Sequence, residues 1–577
     1  MGRGLRRIGV LSTVTAMVLA GTALQAGIAL AAQAPSQPSA GDPRPVVEAG
    51  VLSPAADSQG TATNAVRGER GARTRHGAHI AANAAAPAAG PTMTTAAPHR
   101  GKLLANFDGT SSLDSAITNF GAEFEPPDQG LCAGNGFVVD MVNSAYRVYD
   151  TKGNTLAGPF NINQPFHDGF KQYTSDPRCY YDASTNTWFA VILFLNDPFT
   201  ASRLDIAVNT TGDPTTPWKV FRINTTHNGG PGCPCFGDQP TLGIDRSNLY
   251  VTTNEFSING PEFNGAQIYA IDKSDLVANV KKVHFVHLTN LFIGGAPAAS
   301  VQPALTTGSP AAEYFLSSLD PDGTGDNRVG VWALTNTSAV GRGDLPALSS
   351  VVLKSEPYSI PPPALQKGST STLDSDDDRM QQVQFIGGEI WGTLGTSVQP
   401  AGDSAPRAGG AWFRVKPRLD GSRLRSATIT GQGYIQSAGE YVINPAIQAD
   451  GNGHAAVVFT LTSAKRFASA AYAMLEERGS AFGAPVVAAA GTGPYDPAAT
   501  RWGDYSWAVL DPTSDSVWLA TEYIPALSSQ TPDKLRNWGT RVLHLSLANS
   551  EEQPRVETAA GPHGSAAGDF GPSSLAP

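Results

Sequence analysis

Short polar openings recur along the chain, and each is followed by an apolar β-type run, an Asp-rich or Gly-rich turn and a second apolar run. This recurrence constrains the fold most strongly, because such units must pack against one another to bury their apolar faces. Consecutive openings lie 48 to 76 residues apart, which leaves room for four strands and their loops in each unit. The openings are marked by Asp128, Asp176, Asp238, Gln302, Asp378, Asn444 and Asp504.

The region between 125 and 549 has hardly any helical spacing of apolar residues, whereas β-branched and aromatic runs alternate with Gly, Pro, Asn and Asp. We therefore predict an all-β fold, a seven-bladed β-propeller over residues 101–549. The last unit contains only three strands in sequence, and an unpaired edge strand favours aggregation. We predict that a strand at 102–107 completes this unit and closes the ring. A six-bladed ring and two packed β-sandwiches are the alternatives.

The two ends of the chain differ from this region. Residues 1–32 combine arginines, an apolar run and small residues, which predicts a cleaved signal peptide of the ordinary export route and a secreted, extracellular protein. Residues 33–100 are rich in Ala, Pro and Gly without any aromatic residue, so we predict a disordered linker. We also predict a disordered tail over 550–577.

The net charge of −10 argues against a nucleic-acid partner, because phosphate binding needs a clustered basic surface. We expect a monomer that does not contact a membrane after cleavage.

The four cysteines, Cys132, Cys179, Cys233 and Cys235, predict one or two disulfides in a secreted chain, and three pairings are open. A metal thiolate site at Cys233 and Cys235 is the alternative, but no His or Cys pair follows at zinc spacing.

Several motifs resemble those of an uncharacterised family of secreted bacterial β-propeller proteins. They are Pro126-Pro127-Asp128-Gln129-Gly130, Ser175-Asp176-Pro177-Arg178, Gly237-Asp238-Gln239-Pro240 and Arg501-Trp502-Gly503-Asp504-Tyr505-Ser506. The resemblance extends from about 124 to 545 and implies a propeller with a sialidase-like layout. The Ser-x-Asp-x-Gly-x-Thr-Trp turn of sialidases is absent from the sequence, so sialidase chemistry is not implied.

In a propeller the first strand of each blade lies beside the central channel, so the seven opening residues should surround one mouth of it. Carboxylates gathered there, with arginines nearby, can act as general acid and base. An Asp that only caps a turn is the simpler interpretation of each single position. The predicted catalytic residues are Asp238, Glu255, Asp504 and Glu522. The predicted ligand-binding residues are Asp128, Asp176, Arg178, Gln239, Asp378, Arg379, Asn444, Arg501 and Tyr505.

The segment 320–326 places Asp320, Asp322 and Asp326 at alternate positions around a glycine turn, an arrangement that can supply oxygen ligands to Ca²⁺. Calcium is therefore the one cofactor that the sequence suggests. The segment lacks the distal bidentate Glu and the flanking helices of an EF-hand, which argues against such a site.

Two functional hypotheses follow from these patterns. The first is a secreted propeller that binds and degrades an extracellular polysaccharide, as a glycoside hydrolase or a polysaccharide lyase, at the acidic mouth of its channel. The second is a non-catalytic propeller that binds an extracellular glycan or mediates adhesion.

Overall fold

The computed structural model describes residues 45–54, 101–121, 124–227, 232–260, 262–475, 479–495, 501–526 and 537–547. The expected signal peptide (1–32) and tail (550–577) lie outside these residues, as does most of the expected linker. None of the helices in the described ranges is long and apolar enough to cross a membrane.

The N-terminal elements and the first three four-stranded units come first in chain order. The N-terminal elements are β1 (Val46–Leu52), β2 (Lys102–Ser111) and the helix α1 (Ser112–Thr118). The first unit contains β3 (Gly130–Gly134), β4 (Phe137–Met141), β5 (Ala145–Asp150) and β6 (Thr155–Asn161). The second contains β7 (Tyr173–Asp182), β8 (Thr187–Leu195), β9 (Ser202–Asn209) and β10 (Lys219–Asn224). The third contains β11 (Cys235–Ile244), β12 (Asn248–Ser257), β13 (Phe263–Asp272), the helix α2 (Lys273–Ala278) and β14 (Val283–Thr289).

The remaining units follow a short hairpin of β15 (Phe292–Ile293) and β16 (Ala296–Pro297). The fourth contains β17 (Gln302–Thr306), β18 (Ala312–Ser318), β19 (Asp326–Thr335), a 3-10 helix (Thr337–Arg342) and β20 (Ala347–Tyr358). The fifth contains β21 (Met380–Ile386), β22 (Glu389–Val398), β23 (Arg407–Asp420) and β24 (Arg423–Ile435). The sixth contains β25 (Tyr441–Ala449), β26 (Ala455–Ser463), β27 (Arg466–Leu475) and β28 (Val486–Ala489). The last contains β29 (Trp507–Leu510), β30 (Ser516–Tyr523) and β31 (Gly539–Ser546).

Within each unit consecutive strands pair antiparallel. Four units of the described chain form separate four-stranded sheets, whereas the third, fourth and fifth units are joined with β1 into one 13-stranded sheet. The first strands contact one another in chain order, from β3 to β7, β11, β17, β21, β25 and β29, and β29 contacts β3. A closed ring of first strands with each sheet extending outward is the architecture of a β-propeller. The predicted all-β propeller is therefore confirmed.

The N-terminal strand β2 completes the last unit. It pairs antiparallel with β31, where Asn106 lies opposite Leu543 and Phe107 opposite Val542. The backbone groups of the β31 edge are thereby paired, and the predicted closure of the ring by this strand is confirmed.

The strand β1 lies inside the segment 33–100, where the sequence predicts a disordered linker. It pairs antiparallel with β14 along its whole length, from Val46 opposite Thr289 to Leu52 opposite Val283. For residues 46–52 the linker prediction is wrong, because two adjacent valines and a Val-Leu pair give this short stretch enough β propensity to add to an open edge.

The apolar core lies between neighbouring sheets. One cluster, for example, packs Val139 of the first unit against Trp188 and Ile192 of the second. The disulfide Cys132–Cys179 lies within this cluster and joins β3 to β7, with a Cα–Cα distance of 5.4 Å. The second disulfide joins Cys233 to Cys235. All four cysteines are thus in disulfides. The metal thiolate alternative at Cys233 and Cys235 is therefore excluded.

Candidate functional site

Each unit contributes one residue with a left-handed backbone at or just before its first strand. These residues have φ between 43° and 62° and are Asp128, Asp176, Gln239, Ser300, Asp376, Asn444 and Asp504. Besides glycine, Asp and Asn adopt this conformation most readily, and five of the seven are Asp or Asn. Backbone conformations of this kind cluster at functional sites, where surrounding contacts must hold them.

Four of the seven opening residues named from the sequence have this conformation, namely Asp128, Asp176, Asn444 and Asp504. The other three, Asp238, Gln302 and Asp378, do not have it. Gln239, Ser300 and Asp376 take the equivalent places. In β7, β11 and β25 the left-handed residue lies at a shift in strand register, for example between Asp238 and Thr241 in β11.

Two asparagines connect left-handed residues of neighbouring units. Asn143, just after β4, donates through Nδ2 to Asp128 Oδ2 (2.5 Å) and accepts from the backbone N of Asp176 (2.7 Å). Asn254 of β12 repeats this arrangement, because it donates to Gln239 Oε1 (2.9 Å) and accepts from the backbone N of Ser300 (2.8 Å). These bonds fix the spacing between adjacent units, so the side chains at this mouth are held in place before any ligand arrives.

One cavity lies at this mouth, with a volume of about 60 Å³. Five carboxyl groups line it, and we call it the acidic cavity. They are Glu125, Asp128, Asp176, Asp238 and Asp504. They come from the first, second, third and last units, so the predicted meeting of Asp128, Asp176, Asp238 and Asp504 is present in the structure.

The carboxyl groups of the acidic cavity differ in protonation. Burial, and then the charges of Asp504 and Asp176, raise the pKa of Asp128 well above its ordinary value. Burial raises the pKa of Asp504 only to about 6, because the Arg501 guanidinium opposes the effect. Most Asp504 is therefore ionised at neutral pH, whereas burial and the neighbouring carboxylates favour the protonated form of Asp128. A protonated and an ionised carboxyl in one cavity are the two states that acid–base catalysis needs.

The arginines near the mouth are engaged with protein groups. Arg501 pairs with Asp504 and lies 3.8 Å from Asp374. Arg379 pairs with Asp377 and Asp376, with nitrogen–oxygen distances of 2.6 and 2.8 Å. It also donates to Gln239 of the third unit.

Arg178 and Tyr505 lie against each other, and each is almost fully buried. The Arg178 guanidinium stands 3.7 Å above the Tyr505 ring and 5.0 Å from the Trp507 ring. The Tyr505 hydroxyl donates to Asp176 Oδ2 at 3.4 Å. The ring face that could stack on a ligand is therefore covered by Arg178, although Tyr505 does line the acidic cavity.

Two of the four predicted catalytic residues do not reach the acidic cavity. Asp238 and Asp504 line it, whereas Glu255 and Glu522 are buried away from its lining. The Glu255 side chain accepts from Thr253 Oγ1 at 2.9 Å, and burial raises its pKa to about 8. The sequence placed both glutamates at the mouth because the connection from second to third strand opens there, but it gave no sign that both side chains are buried.

The other predicted ligand-binding residues divide in the same way. Gln239 and Arg501 line the acidic cavity, whereas Asp378 and Asn444 do not. Asp378 is buried beside Asp320, and burial together with the Asp320 charge raises its pKa well above the ordinary value. Glu125, which the sequence analysis missed, lines the cavity and accepts from the Tyr495 hydroxyl. The feature of the sequence that could have indicated Glu125 as a site residue is its position directly before Pro126-Pro127.

The predicted calcium ligands have protein partners. Asp320 accepts from the backbone N of Thr324 (2.8 Å) and of Gly325 (2.7 Å), and Asp326 pairs with Arg328. Over the described ranges, no group of three or more His, Cys, Asp or Glu side chains could hold a metal ion. Asp320 thus acts as a turn cap, and Asp322 joins no metal-binding group.

A larger cavity of about 730 Å³ lies at the other end of the first strands, where hairpin turns join first to second strands. Two of its aspartates are held by neighbouring groups, because Asp245 accepts from the backbone N of Ser247 (2.7 Å) and Asp511 accepts from Trp518 Nε1 (2.9 Å). The acidic cavity is the better candidate site, because left-handed residues of four units line it.

No family model and no curated protein matches this chain. Similar solved structures include a Dos1 propeller, with 10% identity, a TM-score of 0.34 and coverage of 79% of this chain and 94% of that one. An α-L-arabinofuranosidase of Fusarium graminearum has 9% identity, a TM-score of 0.33 and coverage of 77% and 98%. The phage phi92 endosialidase has 8% identity, a TM-score of 0.34 and coverage of 67% and 68%. The fold assignment rests on the strand pairing described above.

Proposed function

We propose that this chain is a secreted glycoside hydrolase that binds an extracellular polysaccharide at the acidic cavity and cleaves a glycosidic bond there. The observation that carries the proposal is the pair of Asp128 and Asp504, two carboxyl groups in the lining of one cavity, of which only Asp504 is paired with Arg501. Burial favours the protonated form of Asp128, and Arg501 favours the ionised form of Asp504. The disulfides Cys132–Cys179 and Cys233–Cys235 support export, because such bonds persist in oxidising compartments.

Asp128 takes the role of general acid in this reaction. Its proton passes to the glycosidic oxygen as the bond from that oxygen to the anomeric carbon breaks. Asp504 is the ionised carboxylate that supports attack at the anomeric carbon. Water supplies the hydroxyl of the new reducing end, and its remaining proton replaces the one that Asp128 gave away.

The remaining carboxylates of the cavity favour this step electrostatically. Glycoside hydrolysis passes through a state with positive charge on the sugar ring, and preorganised negative groups stabilise such charge in a water-poor site. A lyase needs cationic groups that neutralise the uronate carboxylate of its substrate. Arg501 is the one arginine in the lining of the cavity, and Asp504 and Asp374 already engage it. Hydrolysis is therefore the better proposal.

The experiment is a digestion assay with a panel of neutral, cationic and anionic polysaccharides, read as the release of reducing ends. We expect Asp504→Asn and Asp128→Asn each to lower the rate by about 10²–10⁴-fold, the usual contribution of a general acid or base. The rate should rise as pH passes about 6, because Asp504 must lose its proton.

Asp420→Asn is the matched control, because Asp420 is 69% exposed in the turn between β23 and β24. It should leave the rate unchanged. The unfolding curve of Asp128→Asn should resemble that of wild type, since Asn is neutral like a protonated Asp. Asp504→Asn removes an ion-pair partner of the partly buried Arg501 and should lower the unfolding temperature, so its rate is measured well below that temperature. Product release that is insensitive to Asp504→Asn would contradict the proposed chemistry.

A second candidate, a propeller that binds a glycan without cleaving it, is favoured by the packing below the mouth. Arg178 fills the space against Tyr505 and Trp507, and Arg379 extends from the fifth unit to the third. Neither arginine lines the acidic cavity, and both are engaged with groups of the protein. Binding on a glycan array without release of product from any of the bound glycans would select this candidate.

A further inference from the structure

We propose that the Cys233–Cys235 disulfide is a redox site that exchanges with external thiols while the propeller stays folded. Cys233 carries the sulfur that a thiol attacks, and Cys235 carries the sulfur that leaves. The proposal goes beyond the hydrolase activity and does not depend on it. It follows from the exposure of the cysteines, the short chain between these two and the hydrogen bonds that their sulfurs accept.

Exposure separates Cys233 from the other three cysteines. Cys132, Cys179 and Cys235 are fully buried, whereas Cys233 is partly exposed. A thiolate must approach one sulfur of a disulfide directly in order to displace the other. An external thiol can therefore reach the Cys233–Cys235 bond from the Cys233 side. The Cys132–Cys179 bond lies inside an apolar cluster and becomes accessible only when that cluster opens.

The two disulfides also differ in how far the fold protects them from reduction. The sequence separation is 47 for Cys132–Cys179 and 2 for Cys233–Cys235. A disulfide stabilises the folded state to the same extent that the folded state stabilises the disulfide, because one thermodynamic cycle links the two. This stabilisation grows with the length of the closed loop. Folding therefore protects the short bond much less, and exposed disulfides of this kind are the labile or catalytic ones.

Asn264 of β13 contacts both sulfurs of the short bond. Its Nδ2 donates to Cys235 Sγ at 2.7 Å and to Cys233 Sγ at 3.1 Å. When the bond breaks, Cys235 Sγ takes the electron pair and becomes a thiolate in a fully buried position. A hydrogen bond to a thiolate favours the charged form and makes that sulfur a better leaving group. The shorter of the two contacts is thus on the sulfur that must leave.

The exchange consists of two displacements at sulfur. A first thiolate bonds to Cys233 Sγ, and Cys235 leaves as a thiolate that takes up a proton. A second thiolate bonds to the outer sulfur of this mixed disulfide, and Cys233 leaves as a thiolate that also takes up a proton. Two external thiols are thereby oxidised to one disulfide, and the protein pair is reduced to two thiols. The reverse steps, with a small disulfide as oxidant, close the bond again.

Backbone contacts hold Cys235 in place whether or not the bond is closed. Its backbone N donates to His227 O (2.8 Å), and its backbone O accepts from His227 N (3.1 Å). Cys235 also lies opposite Ser257 in the pairing of β11 with β12. None of these contacts uses a sulfur atom, so the third unit can stay paired after reduction. The next residue, Phe236, lines the acidic cavity, which places the redox site at the same mouth.

The first measurement compares the two disulfides in the folded, full-length secreted protein. The protein is treated with 2-mercaptoethanol at neutral pH without denaturant, quenched with iodoacetamide at intervals and digested for mass spectrometry. We expect Cys233 and Cys235 to be alkylated at least about 100-fold sooner than Cys132 and Cys179, with an unchanged circular dichroism spectrum. Equal rates for the two bonds, or reduction of Cys233–Cys235 only on unfolding, would overturn the proposal.

Two single variants identify the sulfur that is attacked. Cys235→Ser leaves one thiol at the partly exposed position, and Cys233→Ser leaves one at the buried position. Each variant is treated with cystamine, a small disulfide, and the mass of the intact protein is followed. We expect Cys235→Ser to form the mixed disulfide at least about tenfold faster than Cys233→Ser. Equal rates, or a faster reaction of Cys233→Ser, would contradict the roles given to the two sulfurs.

Asn264→Leu tests the leaving-group contact, because Leu is similar in size to Asn but has no hydrogen to donate. We expect reduction of Cys233–Cys235 by 2-mercaptoethanol to slow by about three- to tenfold. Looser packing alone would expose the bond and accelerate its reduction, so a slower reaction separates the hydrogen bond from a structural role. Asn327→Leu, at an exposed position of β19, is the control and should leave the rate unchanged. An unchanged or faster reaction of Asn264→Leu would overturn the role of Asn264.

Discussion

At the residue scale, Glu255 lies fully buried in β12, and burial raises its pKa to about 8 from an ordinary value of 4.5. The folded chain therefore keeps a proton on this side chain at pH values where the unfolded chain has lost it. Because the folded state binds more protons between about pH 4.5 and pH 8, the free energy of unfolding falls as pH rises through this window.

We predict that Glu255→Gln removes this contribution, because Gln is neutral at every pH. The variant should match wild type near pH 5 and exceed its free energy of unfolding by about 3 kcal/mol near pH 8. Urea unfolding at both pH values measures the difference. Glu356→Gln, at an exposed position of β20, is the control and should show equal differences from wild type at both pH values. A gain for Glu255→Gln that does not depend on pH would contradict the prediction.

The residues of the candidate site were predictable only in part. Asp128, Asp176, Asp238 and Asp504 could be placed at one mouth because repeats of a propeller bring equivalent positions together. Their individual roles could not be predicted. Asp504 lines the cavity and Glu522 does not, and this difference depends on contacts between units that are far apart in sequence. The role of Asn143 in joining two units was hidden for the same reason.

At the scale of the elements, the hairpins and the closing strand followed from local alternation of apolar and polar residues. β7 and β8, for example, lie where an aromatic run, a four-residue polar turn and an apolar run occur in sequence. The sequence did not predict the bulges at Asp238 and Asn444 or the strand β1. Each of these features depends on the strand edge or the neighbouring sheet that it contacts.

Pairing of β2 with β31 makes the N-terminal strand part of the last unit. We predict that a variant lacking residues 1–111 leaves the β31 edge unpaired and is either insoluble or strongly destabilised. A variant lacking residues 1–100 is the matched control, since it loses β1 at the outer edge of the third unit but keeps β2. Thermal unfolding and gel filtration compare the two. Equal solubility and equal unfolding temperatures would show that β2 is dispensable.

At the scale of the whole molecule, the disulfides differ in how much chain they constrain. Cys132–Cys179 spans 47 residues and joins β3 to β7, the first strands of two neighbouring units. Cys233–Cys235 spans 2 residues within a single loop. Because the loss of unfolded-state entropy grows with the length of the closed loop, the first bond should stabilise the ring far more than the second.

We predict that the double variant Cys132→Ala/Cys179→Ala loses about 4 kcal/mol of unfolding free energy, and that Cys233→Ala/Cys235→Ala loses about 1.5 kcal/mol. Urea unfolding of the two double variants and of wild type measures both values. The comparison controls for the number of sulfur atoms removed, since each variant loses one bond. Equal losses would mean that local packing around the sulfurs, and not the chain length that each bond closes, determines how the disulfides stabilise the propeller.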